Sequence, residues 1–236
     1  MTRRRWIADE FSENLAVLTG AHAEHLVRVL RVRVGQEFDI NVGTDVRLGR
    51  VVSIGENRVE FELGEHIPVV AIPKVTLALS IFKFDRMEWA IEKCTELGVA
   101  RIVPVIARRT ETHLATAAEK RVERWERIAR QSSEQSRRSA SPEISAPMKL
   151  KDAVELKGQA GILLAESEDE LMLKDALASH SRGKSVVLAV GPEGGWADTE
   201  LDLFRAAGWV SASLGETILR AETAAIAALA VVMASA

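Results

Sequence analysis

Five short, mostly apolar runs constrain this chain more than any other feature: VTLALSIF at 75–82, RIVPVI at 101–106, GILLAE at 161–166, SVVLAV at 185–190 and WVSASL at 209–214. Each has the length of a strand, and segments of helical period intervene between them, so both faces of the strands are to be buried. One helix is expected over 85–97, with Met87, Ala90, Ile91, Cys94 and Leu97 on one face and Gly98 as its stop. Others are expected around 115–135, over 169–179, from an N-cap at Asp198, and from Ala221. This alternation implies a largely parallel sheet, whose ligands sit beyond the C-terminal ends of its strands. A site is therefore sought in the loops after Phe82, Ile106, Glu166, Val190 and Leu214.

The first seventy or so residues follow another rule. FDINV, VRLGRVV and RVEFEL alternate apolar and polar residues between the turn signals GTD and GEN, which is an antiparallel β module. Before them, AEHLVRVLRVRVG reads as a helix closed by Gly35, with Leu26, Val29 and Leu30 inward and Arg28, Arg31 and Arg33 outward. Residues 66–74, with Pro68 and Pro73, are the expected linker between a domain at 1–70 and one at 74–236. Trp6 and Phe11 are the only early aromatic candidates for a stacking platform, and both are expected in the small core instead.

Several classes are excluded. No window approaches the roughly eighteen apolar residues of a membrane span, and MTRRRWIADEF lacks the apolar core of a signal peptide, so a cytoplasmic protein is expected. One cysteine, Cys94, makes no internal disulfide and reads as a small core residue. The tightest His spacing is His22-x-x-His25, so no metal is expected. Net charge is −3, but residues 101–138 hold ten basic and five acidic groups, enough local positive field for a polyanion.

Two adjacent strand ends carry unusual loops. SVVLAV enters GPEGGWADTE, whose Gly191, Gly194 and Gly195 allow close backbone approach to a ligand while Pro192 stiffens the turn. It is not a phosphate loop: it has no lysine, and Glu193 puts a negative charge where phosphate would lie. LGETILRAETA follows the next strand. Apolar Ile218 and Leu219 in a loop need something to pack against, and a flat ligand such as adenine would serve. Arg220, Glu222 and Thr223 cluster at the start of an Ala-rich helix, where Arg220 and Glu222 either serve chemistry or merely pair with each other or cap the helix.

GPEGG with LGETILRAETAAIAAL, together with MEWAIEKCTELGV, RIVPVIARRTE, EQSRR with PEI, and HLVRVLRVRVG, resembles the RsmE-type 16S ribosomal RNA uracil-N3 methyltransferases of the SPOUT superfamily. The match covers nearly the whole chain in order. It implies an α/β protein with a small N-terminal PUA-like β-barrel that binds RNA and a C-terminal SPOUT-type α/β domain tied in a deep trefoil knot. It further implies S-adenosylmethionine as cofactor, a specific uridine of 16S ribosomal RNA in the small ribosomal subunit as target, and a homodimer. The resemblance maps the cofactor loops onto Leu164, Ala165 and Glu166, onto Gly191, Pro192, Glu193, Gly194 and Gly195, and onto Leu214, Gly215, Ile218 and Leu219.

For the chemistry, Arg220 suits stabilisation of charge on the uracil oxygens, Glu222 suits orientation of Arg220 or proton acceptance, and Thr223 suits donation to a substrate carbonyl or to the cofactor. The expected phosphate contacts are Arg5, Arg28 and Arg31, with Lys83, Arg108, Arg109, Arg137 and Arg138 on the catalytic domain. Ala140 stands where the family often has a basic residue. A non-catalytic RNA-binding protein would have no use for the paired glycine and apolar loops; a nucleotide-dependent small-molecule enzyme would leave the arginines of the β module idle.

Overall fold

The alternating residues of the N-terminal part form long antiparallel strands, because an apolar face on every second residue is buried only by pairing such strands into a sheet. The computed structural model describes residues 5–43, 45–68, 74–136, 138, 140–156, 160–180 and 185–235, and the chain divides into two units after Val70. In the first, β1 (Arg5–Ile7), β2 (Glu10–Phe11), β3 (Leu15–Thr19), β4 (Glu37–Val42), β5 (Asp45–Ile54) and β6 (Arg58–His66) make one curled sheet in the order β1-β4-β5-β6-β3-β2. Register shifts between β5 and β6 bend it. Trp6, Leu18, Leu26, Ile40, Val59 and Phe61 fill its inner face.

Two expectations fail here. The helix starts earlier, as α1 (Gly20–Glu24), and continues as a π-helical turn only to Val29. Arg31 takes a left-handed φ of 50°, and the Val32 amide donates back to the Leu26 carbonyl at 3.1 Å, so the helical segment stops at Val29, six residues before Gly35. Leu26 is buried, but Val29 is 63% exposed. Phe11 is exposed rather than in the core, because β2 is a two-residue edge strand beside β3 alone.

The second unit is the mixed α/β domain, a parallel sheet with helices. β7 (Val75–Ser80), α2 (Phe84–Glu96) and β8 (Arg101–Ile106) open it. Helical stretches α3 (Thr112–Ala117) and α4 (Val122–Gln135) flank a 3₁₀ turn, and the short β9 (Glu143–Ile144), β10 (Met148–Lys149) and α5 (Leu150–Ala153) follow. Then come β11 (Ala160–Leu164), α6 (Leu173–His180), β12 (Val186–Val190), α7 (Asp198–Ala206), β13 (Val210–Ala212) and α8 (Ala221–Ala234). The strand order is β10-β8-β7-β12-β11-β13, with β9 also beside β8 and every pairing parallel.

Helix α2 buries Met87, Ala90, Ile91 and Cys94 completely; Met87 and Ile91 each contribute roughly 1.5–3 kcal/mol of hydrophobic stabilisation. Gly98, at φ 105°, turns the chain out of it. Burial pushes the Cys94 thiol up to about 12. The result is a sheet whose strands β11, β12 and β13 lie side by side and end at one edge of the domain.

Candidate active site

The loops leaving β11, β12 and β13 converge on one cavity of about 600 Å³, within the size range of small-molecule sites. The loop after β12 is held from both sides. Trp196, nearly buried, donates its Nε1 hydrogen to the Leu164 carbonyl at 2.9 Å and so ties this loop to the one after β11. Gly191 has to be small: a β-carbon there would stand 3.1 Å from Trp196 Nε1. Gly195 adopts φ 69°, and its amide donates to the Pro192 carbonyl at 2.8 Å.

The N-cap of α7 is Ala197, not Asp198. The reason is Glu200, whose buried carboxylate accepts from the Ala197 amide at 2.9 Å and so caps the helix from its third position. Asp198, in the first turn, adds a charge favourable to the helix dipole. The other Glu200 oxygen accepts from the Arg108 amide at 2.7 Å, tying in the loop after β8.

The loop after β13 turns at Gly215, φ 121°, where the amide donates to Ser213 Oγ at 3.2 Å. Ile218 is 80% exposed. Arg220 is the N-cap of α8, lies in the cavity wall and is exposed. Among the described residues its side chain makes no hydrogen bond or ion pair, so the pairing with Glu222 that the spacing left open does not form.

Glu222 is buried and outside the cavity lining. It is 3% exposed, its Oε1 lies 3.8 Å from Arg86 Nε, and its Oε2 is buried without a hydrogen-bond partner. It therefore neither orients Arg220 by contact nor faces a base in the cavity. Arg86, which sequence reasoning missed, lies in the wall and donates from Nη1 to Glu193 Oε1. Thr223 is exposed and outside the cavity lining.

Of the residues mapped to the cofactor, Leu164, Ala165, Glu166, Gly191, Pro192, Glu193, Gly195, Leu214, Gly215, Ile218 and Leu219 line the cavity; Gly194 stands just behind it, beneath Arg109. Arg109, expected on phosphate, lines the cavity too and donates to the Gly194 carbonyl. Among the described lining residues are three guanidinium groups, on Arg86, Arg109 and Arg220, and four carboxylates, on Glu166, Glu193, Asp198 and Glu216. Such a wall repels a polyphosphate and suits a ligand carrying both signs of charge.

The remaining cations are scattered. Lys83 is exposed at the N-cap of α2, and the Arg108 guanidinium reaches Thr199 Oγ1 at 3.4 Å. In the N-terminal unit Arg5 stands 4.0 Å from Asp39, Arg28 pairs with Glu24 at 2.6 Å, and Arg31 sits in the left-handed turn after the helix. Arg138 is turned inward, donating at 2.7 Å each to the carbonyls of Thr95 and Val99, and burial lowers its pKa. That fork closes the C-terminal end of α2 and is not offered to a phosphate. Arg137 lies outside the described residues. No group of three metal-ligating side chains occurs among the described residues, and no described helix is long and apolar enough to cross a membrane.

Comparison with known proteins agrees with this division. Residues 70–233 match the RNA methyltransferase domain model and residues 18–64 the RNA methyltransferase PUA domain model. The chain is 32% identical to the ribosomal RNA small subunit methyltransferase E of Mesomycoplasma hyopneumoniae over 94% of its own length and 95% of that protein. It is also 32% identical to the protein of that name from Rickettsia conorii, over 96% and 93%. Among solved structures, the ribosomal RNA small subunit methyltransferase E of Neisseria gonorrhoeae bound to S-adenosyl methionine superposes with a TM-score of 0.67 at 28% identity, covering 97% of this chain and 95% of that one.

Proposed function

Because the chain belongs to the ribosomal RNA small subunit methyltransferase E family, we propose that it uses S-adenosylmethionine to methylate N3 of a specific uridine in 16S ribosomal RNA. The observation that carries this reading is the composition of the cavity: glycine turns and apolar loop residues from three adjacent strand ends, mixed charges, and an unpaired Arg220 in the wall. The cofactor fits this chemistry. Its adenine suits Leu164, Leu214, Ile218 and Leu219, its ammonium and sulfonium suit the carboxylates, and its carboxylate suits a guanidinium.

When bound, S-adenosylmethionine supplies an activated methyl carbon. The protein's part is to hold the loops, keep water out and manage charge on the acceptor base. N3 of uracil is a weak nucleophile until it loses its proton, and negative charge then spreads to the neighbouring carbonyl oxygens. Arg220, a permanent cation with its fork unspent, stabilises that charge as it develops. N3 lies on the pairing edge of the base, so the target nucleotide is presented unpaired.

RNA is gripped mainly by shape and phosphate. Arg5, Arg28 and Arg31 of the N-terminal unit serve this role, with Lys83 and Arg108 on the catalytic unit; Arg109 and Arg138 leave the list because their forks are turned to backbone carbonyls. The curled sheet is read as a PUA-like barrel, supported by the family match over 18–64. A deep trefoil knot in the second unit is supported by the path of the chain, which leaves edge strand β13 and returns as α8 to pack on α2, β7 and β12. A homodimer is supported by α8, whose sequence is apolar almost all round, and by the half-exposed Trp89 on its neighbour α2.

Titration calorimetry with S-adenosylmethionine, followed by transfer of labelled methyl to unmodified small ribosomal subunits, tests the reading. One cofactor per chain and label in the RNA are expected. The absence of both binding heat and label in the RNA would overturn it.

A further inference from the structure

We propose that Arg86 is a positioning residue for the methyl-transfer site, joining the glycine loop after β12 to the first turn of α8. The inference rests on the reaction proposed above. Arg86 belongs to the first turns of α2, yet its guanidinium meets two carboxylates from distant parts of the chain: Nη1 donates to Glu193 Oε1, and Nε lies 3.8 Å from Glu222 Oε1. Glu193 lines the cavity, whereas Glu222 follows Arg220 by two residues and is buried, at 3% exposure.

The second observation concerns the other oxygen of Glu222. Oε2 is buried with no hydrogen-bond partner, and no other ion pair reaches this carboxylate among the described residues. A buried carboxylate without a cation is strongly disfavoured, so Arg86 is the group that makes the position tolerable. The guanidinium fork is suited to two carboxylates at once; a lysine point charge is not. With Arg86 in place, the Glu193 wall and the helix turn that presents Arg220 share one anchor. Without it, both are released, and Arg220 loses its aim at the acceptor base.

The test compares Arg86→Ala, Arg86→Lys and the double variant Arg86→Ala/Glu222→Gln as full-length protein, in cofactor calorimetry, steady-state methyl transfer and thermal unfolding. Arg86→Ala is expected to lower kcat by about tenfold to a hundredfold, as misplacement of a reacting group does, and to raise KM for the cofactor less than kcat falls. Arg86→Lys recovers part of kcat. Arg86→Ala/Glu222→Gln melts higher than Arg86→Ala, because the stranded charge is gone, while kcat stays low because the anchor is still missing.

Wild-type kcat and KM in Arg86→Ala would overturn the proposal. So would a double variant no more stable than Arg86→Ala, since Glu222 would then not be the charge that Arg86 compensates. If Arg86→Ala does not fold, the lysine variant and the double variant carry the same comparison. Should the wild-type protein neither bind the cofactor nor transfer methyl, the functional reading fails instead, and the thermal comparison still reports on the Arg86–Glu222 pair.

Discussion

Replacing Gly191 by alanine drives a methyl group into the indole that holds two loops of the cavity together. The new β-carbon would stand 3.1 Å from Trp196 Nε1 and 3.2 Å from Cε2, closer than the ordinary contact distance of roughly 3.5–4.0 Å between carbons. Retreat is obstructed, because Nε1 is bonded to the Leu164 carbonyl at 2.9 Å and the ring meets Phe204 edge-on at 4.9 Å between centroids. Overpacking costs about 1–3 kcal/mol, and breaking the Trp196–Leu164 bond leaves a buried N–H unpaired at about 1–3 kcal/mol. Because moving the indole relieves the first cost by incurring the second, the two do not simply add, and a loss of about 2–3 kcal/mol is expected.

Denaturant unfolding of the C-terminal unit reads that loss, and calorimetry reads the cofactor: each 1.4 kcal/mol or so that the bound state loses is about tenfold in affinity. Gly208→Ala is the control. Its φ of 79° makes alanine strained, at about 1–2 kcal/mol, but no atom stands within 4 Å and it lies outside the cavity lining. It should cost stability and leave affinity unchanged. A Gly191→Ala protein with wild-type stability and affinity, or a Gly208→Ala protein that binds the cofactor equally weakly, would refute the reasoning.

Other expectations follow from single contacts. Arg220→Ala should lower kcat by about a hundredfold or more with an unchanged melting temperature, since the side chain is exposed and unpaired; methylation at the wild-type rate would sink its assignment. Glu200→Ala strands the amides of Ala197 and Arg108 and should cost about 2 kcal/mol in denaturant unfolding. Cys94 gives a pH signature. Its folded pKa is raised from 9.0 to about 12, so the folded state holds the proton longer and the associated stability, whole below pH 9, falls as pH rises towards 12. The slope is about 1.4 kcal/mol per pH unit in that window, and Cys94→Ala should lose this slope in unfolding curves taken across it.

Much of the second unit was legible in its periodicity. Strand-length apolar runs and the α2 face of Met87, Ala90, Ile91 and Cys94 need only local spacing, and the glycines at 195 and 215 do sit at positive φ. Periodicity carries the early helix too far because the left-handed turn at Arg31 has no sequence signal: a non-glycine residue there is held by its surroundings. The exposure of Phe11 is not legible because apolar character does not tell an edge strand from a core one.

In the site, the loops followed from the rule that ligands gather at strand ends, but the partners of the charges did not. Arg86 and Glu193 are 107 residues apart, and nothing in their spacing joins them. One clue was present: Arg86 lies in the segment following Phe82, a strand end already singled out. The burial of Glu222 was hidden for the opposite reason, because a carboxylate beside Arg220 in sequence suggests a pair, whereas helical geometry sends the two side chains in different directions.

The most direct test of the central claim is nucleoside mass spectrometry of 16S ribosomal RNA after small subunits lacking the modification are incubated with the purified protein and S-adenosylmethionine. The account predicts that 3-methyluridine appears, at one nucleotide per subunit, and that it is strongly reduced with Arg220→Ala. No new methylated nucleoside, or methyl found on a ring carbon or ribose oxygen instead of N3, would contradict it.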